Sequence, residues 1–126
     1  MTVLATFARL CVPDLDAALD ELAASGCGDV RLRFGHASGL QLALVSGLLV
    51  LAGTDDQLAP FRATSATVIV TDLDAALGAA TGAGAVVVRG IAQQQTGRNA
   101  TVRLAGGPVL EFVEWDDATR RAAGLT

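Results

Sequence analysis

VTDLDAAL, residues 70–77, repeats VPDLDAAL, residues 12–19, at seven of eight positions and 58 residues further on. That interval is nearly half of a 126-residue chain, which points to a duplicated module and not to a solenoid of many short units. The match spreads beyond the octapeptide. Thr6 answers Thr64, Gly26 answers Gly84, Val30 answers Val88 and Arg31 answers Arg89 at the same offset of 58. At an offset of 60, Leu44 answers Leu104 and Gly47 answers Gly107.

Both copies read alike. A strand comes first, LATFARLCV in copy one and ATSATVIV in copy two. Asp14 or Asp72 then stands where its carboxylate accepts from the orphan N–H groups of a first helical turn. Asp16 and Asp74 add negative charge at the favourable end of the helix dipole. Leu15, Ala18, Leu19, Leu22 and Ala23 form one apolar stripe, repeated by Leu73, Ala76, Leu77 and Ala80. Gly26 and Gly84 end the helices. Three strands follow each helix, at 29–35, 39–46 and 47–53 in copy one and 85–92, 99–105 and 107–115 in copy two, with glycines marking the turns. The expected fold is α+β: two tandem βαβββ modules, 1–53 and 63–115, joined by a linker at 54–62 and closed by a helix at 116–126. One domain, with each helix covering one face of its module's sheet, follows from that pattern.

Composition narrows the classes. Hydrophobic residues make up 52% and charged residues 17%, enough apolar material for a core. The run Leu48 to Gly53 is too short to span a bilayer, and no signal-peptide pattern opens the chain, so a cytoplasmic protein is expected. A net charge of −4 argues against nucleic acid as a partner. Cys11 and Cys27 lack CxxC spacing and read as thiols rather than as a disulfide.

Two βαβββ modules with V-x-D-L-D-x-A-x at each strand-to-helix junction, and GGPVLEFVEW closing the second, resemble the glyoxalase/bleomycin-resistance/dioxygenase superfamily, also called vicinal oxygen chelate proteins. The resemblance covers essentially the whole chain. It implies a cleft between the modules and, in the superfamily's enzymes, a divalent metal held by ligands from the first and last strand of each module. Those positions here are Phe7, Leu51, Ser65 and Glu111, of which only Glu111 can ligate, so no metal and no cofactor are expected. The lone His36 lies in a Gly/Ser turn and is expected to be solvated.

Strand alternation extends the list of candidates. Phe7 implies Arg9 and Cys11 on the cleft face; Ser65 implies Thr67; Glu111 implies Val113 and Trp115. Placing Leu40, Leu42 and Leu44 toward the helix sends Gln41 and Ala43 to the cleft, and repeat symmetry adds Thr101 and Arg103. The same reasoning sends Arg31 and Arg33 to the cleft, with Arg89 as the partner of Arg31. The expected ligand-binding set is Phe7, Arg9, Gln41, Leu51, Ser65, Thr67, Thr101, Arg103, Glu111 and Trp115, with no catalytic residue assigned. QQQTGRN, 93–99, reads as a polar loop at the cleft mouth. Neither a Ser-His-Asp triad nor a P-loop or dinucleotide fingerprint occurs.

The function expected from these residues is non-catalytic. The chain sequesters or carries a planar, partly anionic small molecule, as antibiotic-resistance members of the superfamily do. The alternative is a lyase, isomerase or dioxygenase with an atypical or metal-free site around Glu111. Uncovered sheet edges predict a homodimer.

Overall fold

The computed structural model describes residues 1–125. The elements in order are β1 (Val3–Val12), α1 (Leu15–Ala24), β2 (Val30–Gly35), β3 (Gln41–Val45), β4 (Leu48–Ala52) and α2 (Asp55–Leu58). A 3-10 turn (Ala59–Phe61) leads to β5 (Thr64–Val70), α3 (Leu73–Gly82), β6 (Val86–Gln94), β7 (Gly97–Arg103), β8 (Val109–Trp115) and α4 (Asp117–Ala122). The fold is α+β, with βαβββ twice in tandem. No helix among the described residues is long and apolar enough to cross a membrane.

The repeated octapeptide does the same work in both copies. Asp14 and Asp72 stay in extended backbone and accept from the N–H groups of Ala17 at 3.1 Å and Ala75 at 3.0 Å. Each cap satisfies one donor that the first helical turn leaves without a partner.

Ala8–Ala63 form one compact unit, and Met1–Phe7 with the residues from Thr64 onward form another, so β1 divides between them. In the Ala8–Ala63 unit the strand order is β2-β3-β4-β1, antiparallel except for β4 with β1. Leu15, Ala18 and Leu19 of α1 pack on Ala43, Val45, Val50 and Ala52, with Leu10 and Val12 alongside. In the other unit the order is β1-β5-β8-β7-β6, with β5 and β8 parallel. There Val68, Val70 and Phe112 face Ala76 of α3.

The core of the Ala8–Ala63 unit overturns one expectation. Ala43 and Val45 touch α1, so Leu42 and Leu44 face away from it, the reverse of the assignment made from sequence. Across the β2–β3 ladder Arg33 stands opposite Ala43, and its guanidinium reaches Asp16 of α1 at 2.9 Å. Arg33 therefore serves the helix face, and Gln41, two residues before Ala43, belongs to that face too and is exposed. Arg31 falls at an irregularity between Val30 and Leu32.

The cause is a one-residue difference in turns. Val45 pairs with Leu48 around Ser46-Gly47, whereas the Leu104 N–H donates to the Pro108 carbonyl at 2.8 Å around Ala105-Gly106-Gly107. Leu42 pairs with Leu51 as Thr101 pairs with Glu111, so β3 and β7 correspond at an offset of 59, not 60. A slip of one residue exchanges the faces of a strand. Alternation gave no warning, because both faces of β3 and β4 are buried: Leu42, Leu44, Leu49 and Leu51 as well as Ala43, Val45, Val50 and Ala52.

The segment 54–62 is more than a linker. The Thr54 hydroxyl accepts from the Gln57 N–H at 3.2 Å and the Gln57 carboxamide oxygen from the Thr54 N–H at 2.9 Å, a reciprocal cap on α2. Phe61 lies 5.6 Å from His36, edge to face, while His36 Nδ1 accepts from the Ser38 N–H at 3.0 Å. The histidine is half-buried and ties two turns together. Cys11 and Cys27 are free thiols, both half-buried.

Candidate functional site

The site is built on the unit formed by Met1–Phe7 and the residues from Thr64 onward. Its β8 sequence, VLEFVEW, alternates: Leu110, Phe112 and Glu114 turn toward α3, and Val109, Glu111, Val113 and Trp115 turn away. On the α3 side, Glu114 accepts from the Leu73 N–H at 3.2 Å and from Arg98 Nη2 at 2.6 Å. Arg98 also reaches Asp74 at 3.4 Å. Glu114 first, and then Asp74, holds the Arg98 guanidinium more firmly protonated than usual. That cluster fixes α3 on its sheet and leaves the opposite face to other work.

On the opposite face, strand register lines up one row. Thr67 of β5 is the partner of Glu111 of β8, which is the partner of Thr101 of β7, which is the partner of Arg89 of β6. Partners in adjacent strands project to the same side. The Thr67 hydroxyl donates to Glu111 Oε1 at 3.2 Å. Thr67 and Thr101 are 2% and 7% exposed, two of the three buried polar side chains in the described chain, and Glu111 is half-buried. A carboxylate withdrawn from water is costly unless hydrogen-bonded, and the threonine beside it supplies such a bond. Arg103 follows on the same face two residues along β7 and is exposed.

Phe7 and Trp115 also lie on this face, with ring centroids 6.1 Å apart and planes tilted at 40°. They are 3% and 6% exposed, so they form packing beneath the row and not the open stacking walls expected at a cleft mouth. Ser65 drops out. The β5–β8 register shifts between Thr64 and Ala66, which leaves Ser65 unpaired and exposed and puts Thr64 across from Val109. The stretch 93–99 is mostly ladder: β6 runs to Gln94, β7 starts at Gly97, and only Gln95-Thr96 turn.

Arg9 and Leu51 belong to the Ala8–Ala63 unit. Arg9 pairs with Leu49 and Cys11 with Leu51, on the face away from α1. Leu42, Leu44, Leu49 and Leu51 make that face apolar and buried. Leu42 and Leu51 occupy the places that Thr101 and Glu111 hold in the other copy. The structure thus groups Phe7, Thr67, Thr101, Arg103, Glu111 and Trp115 on one face, Arg9 and Leu51 on its counterpart, and excludes Gln41 and Ser65. Asn99, opposite Val113, is a half-buried polar residue of the row's face; sequence reasoning put it in the polar loop 93–99 at the cleft mouth and not on this strand face. The signal for the face was spacing, two residues before Thr101.

The divalent metal implied by the superfamily does not fit these donors. Among the described residues no three His, Cys, Asp or Glu side chains gather where they could hold an ion, and the four expected ligand positions offer one carboxylate.

Comparison with solved structures gives the relatives of this sheet-and-helix pattern. An uncharacterized protein from Methanosarcina mazei is 37% identical over 92% of this chain and 95% of its own, with a TM-score of 0.84. This chain belongs to the vicinal oxygen chelate (glyoxalase/bleomycin-resistance) superfamily. The fold is shared at 18% identity by methylmalonyl-CoA epimerase from Streptomyces coelicolor in complex with 2-nitronate-propionyl-CoA, at a TM-score of 0.71 over 92% of this chain and 97% of that one. Methylmalonyl-CoA epimerase from Mycobacterium tuberculosis, also 18% identical, reaches a TM-score of 0.67 over 94% and 93%. No protein-family model and no curated protein matches the sequence.

Proposed function

We propose that this chain is an enzyme of the superfamily that moves a proton at a carbon beside a carbonyl, with Glu111 as the proton-handling group. The supporting observation is the row Thr67–Glu111–Thr101, a half-buried carboxylate between two buried hydroxyls where the other copy has Leu42 and Leu51. A carboxylate so placed takes the proton, and the electron pair of the C–H bond moves onto the carbonyl oxygen as an enolate. The Thr101 hydroxyl is a donor available to that oxygen, and the Glu111 acid returns a proton to carbon. Taking the proton beside a carbonyl is the first half of epimerising methylmalonyl-CoA, which in addition needs a proton delivered to the opposite face, and proteins named for that reaction share this fold.

The test is exchange. The protein in deuterated buffer is given methylmalonyl-CoA and, separately, 2-oxo acids such as phenylpyruvate, and proton NMR follows loss of the signal beside the carbonyl. Glu111→Gln should slow exchange by about 100-fold or more. Binding of these compounds with no exchange above the buffer rate would overturn the enzymatic reading. It would return the chain to the binding-only role expected from sequence, toward which the comparisons give no support. A cytoplasmic setting and a homodimer complete the proposal. For the homodimer the support is β6, last in its strand order, where Val86, Val87, Val88 and Ile91 are 42–59% exposed. Light scattering that gives a mass near 12.8 kDa across micromolar concentrations would remove the dimer.

A further inference from the structure

The row does not stop at Thr101. Arg89 is its partner on β6, and it is flanked there by two irregularities in the ladder, one between Arg89 and Ala92 and one between Val87 and Arg89. From the hairpin tip, Gln94 pairs with Gly97, Gln93 with Arg98 and Ala92 with Asn99. Continued regularly, that register would put Gly90 opposite Thr101 and turn Arg89 toward the α3 face, where Arg98 already pairs with Glu114 and Asp74. The extra residue before Ala92 moves Arg89 into line with Thr101, and a bulge is a known means of re-aiming one side chain. Arg89 is the one charged residue of β6. Arg103 comes to the same face from β7 without a bulge.

Two guanidinium-bearing strands therefore border the Thr101 side of Glu111. Strand spacing puts the Arg89 and Glu111 backbones about 10 Å apart, with Thr101 between them. A carboxylic acid a few atoms long spans such a gap. Its charge meets the arginine forks, which match a planar carboxylate, and its reacting carbon lies over Glu111. The two cations also offset the repulsion that Glu111 alone would exert on an anion.

We propose that the substrate is a small carboxylate, recognised by Arg89 with Arg103, an assignment that rests on Glu111 as the proton-handling group. The probes are phenylpyruvate and its methyl ester, which share a shape and differ in charge; calorimetry measures both on each variant. The wild type should prefer the acid by about tenfold or more. Arg89→Gln should erase most of that preference while leaving ester affinity unchanged, and Arg89→Lys should restore part of it. Glu111→Gln should keep the preference and lose exchange. A wild type that binds neither probe, or both alike, overturns the proposal, as does Arg89→Gln with the preference intact. An acid preference that depends on Arg89, with no exchange, would sink the enzymatic reading and leave the recognition assignment standing.

Discussion

Leu51 and Glu111 hold equivalent places in the two copies, and the pair separates packing from chemistry. Leu51 is 2% exposed. Truncation to Ala removes three carbons, worth about 0.8 kcal/mol each in transfer, and leaves a cavity, so Leu51→Ala should cost about 3–5 kcal/mol. Glu111→Gln keeps an acceptor for the Thr67 hydroxyl, now 3.2 Å away, and should change stability by about 1 kcal/mol or less. Urea denaturation read by Trp115 fluorescence measures both, since that side chain is buried at 6% exposure and will report its release into water. Proton exchange, measured where each variant is folded, should show the opposite order: near wild type for Leu51→Ala, lower by about 100-fold or more for Glu111→Gln. If Glu111→Gln unfolds as readily as Leu51→Ala while exchange persists, Glu111 is a structural residue and the proposed chemistry is wrong.

Two further outcomes follow from contacts outside the row. Arg33→Ala should change stability by about 1 kcal/mol at most, because its ion pair with Asp16 is 47% and 80% exposed, and it should leave phenylpyruvate affinity unchanged; a weakened affinity would return Arg33 to the site. The Asp116 carboxyl lies below its ordinary 3.8, chiefly through the Thr119 N–H, then its hydroxyl and Arg121. Its contribution is present above that ordinary value and fades as pH falls through the lowered one, so the gap between thermal melts of wild type and Asp116→Asn should be constant above about pH 4 and close below it. Parallel curves down to pH 2 would show that the cap does not titrate as described.

What the sequence disclosed follows from which signals are local. The capping aspartates of DLDAAL and the helical stripes are set within a few residues; both caps form as expected, and of the stripes Leu15, Ala18, Leu19, Leu73 and Ala76 are buried, Leu22, Leu77 and Ala80 half-buried and Ala23 exposed. TDDQ is as local: Thr54 stands three residues before Gln57, the spacing of a capping box, and reading 54–62 as a linker overlooks it. The faces of β2 and β3 are a different matter. With both faces of β3 apolar, the hydrophobic pattern cannot say which one meets α1; the packing of Ala43 and Val45 on α1 decides it, and the Arg33–Asp16 contact carries the same assignment to β2. Ladder irregularities at Ser65 and beside Arg89 leave no mark in composition, since an inserted residue looks like any other. The polar row was half legible for the same reason. Glu111 stands at a position that the resemblance supplied and Thr67 came from Ser65 by alternation, whereas Arg89, expected on this face only as the repeat partner of Arg31, gets there by a bulge that the sequence does not mark.

The hairpin between β6 and β7 controls that bulged register, and Gly97 is where it can be disturbed. Its φ of +144° is open to glycine, and a Cβ there would run into the backbone carbonyl of Glu114 and come within 2.9 Å of Trp115 Cα. Backbone cannot step aside as a flexible side chain can, so Gly97→Ala strains the conformation and also pushes β7 from β8 where Gly97 pairs with Trp115. A cost of about 2–4 kcal/mol is expected from strain and lost pairing together. Gly90, on the same hairpin, has open space within 4 Å of where a methyl would stand and no positive φ, and Gly90→Ala should be neutral to within about 1 kcal/mol. The functional consequence separates the two further. Every residue from Gly97 back to Ala92 carries the register that the bulge then shifts, so Gly97→Ala should weaken the preference for phenylpyruvate over its ester as well as the fold, and Gly90→Ala should keep both. Equal melting of the two variants would mean that the hairpin tip is not held as described. A destabilised Gly97→Ala with full acid preference would show that Arg89 reaches its place independently of the tip.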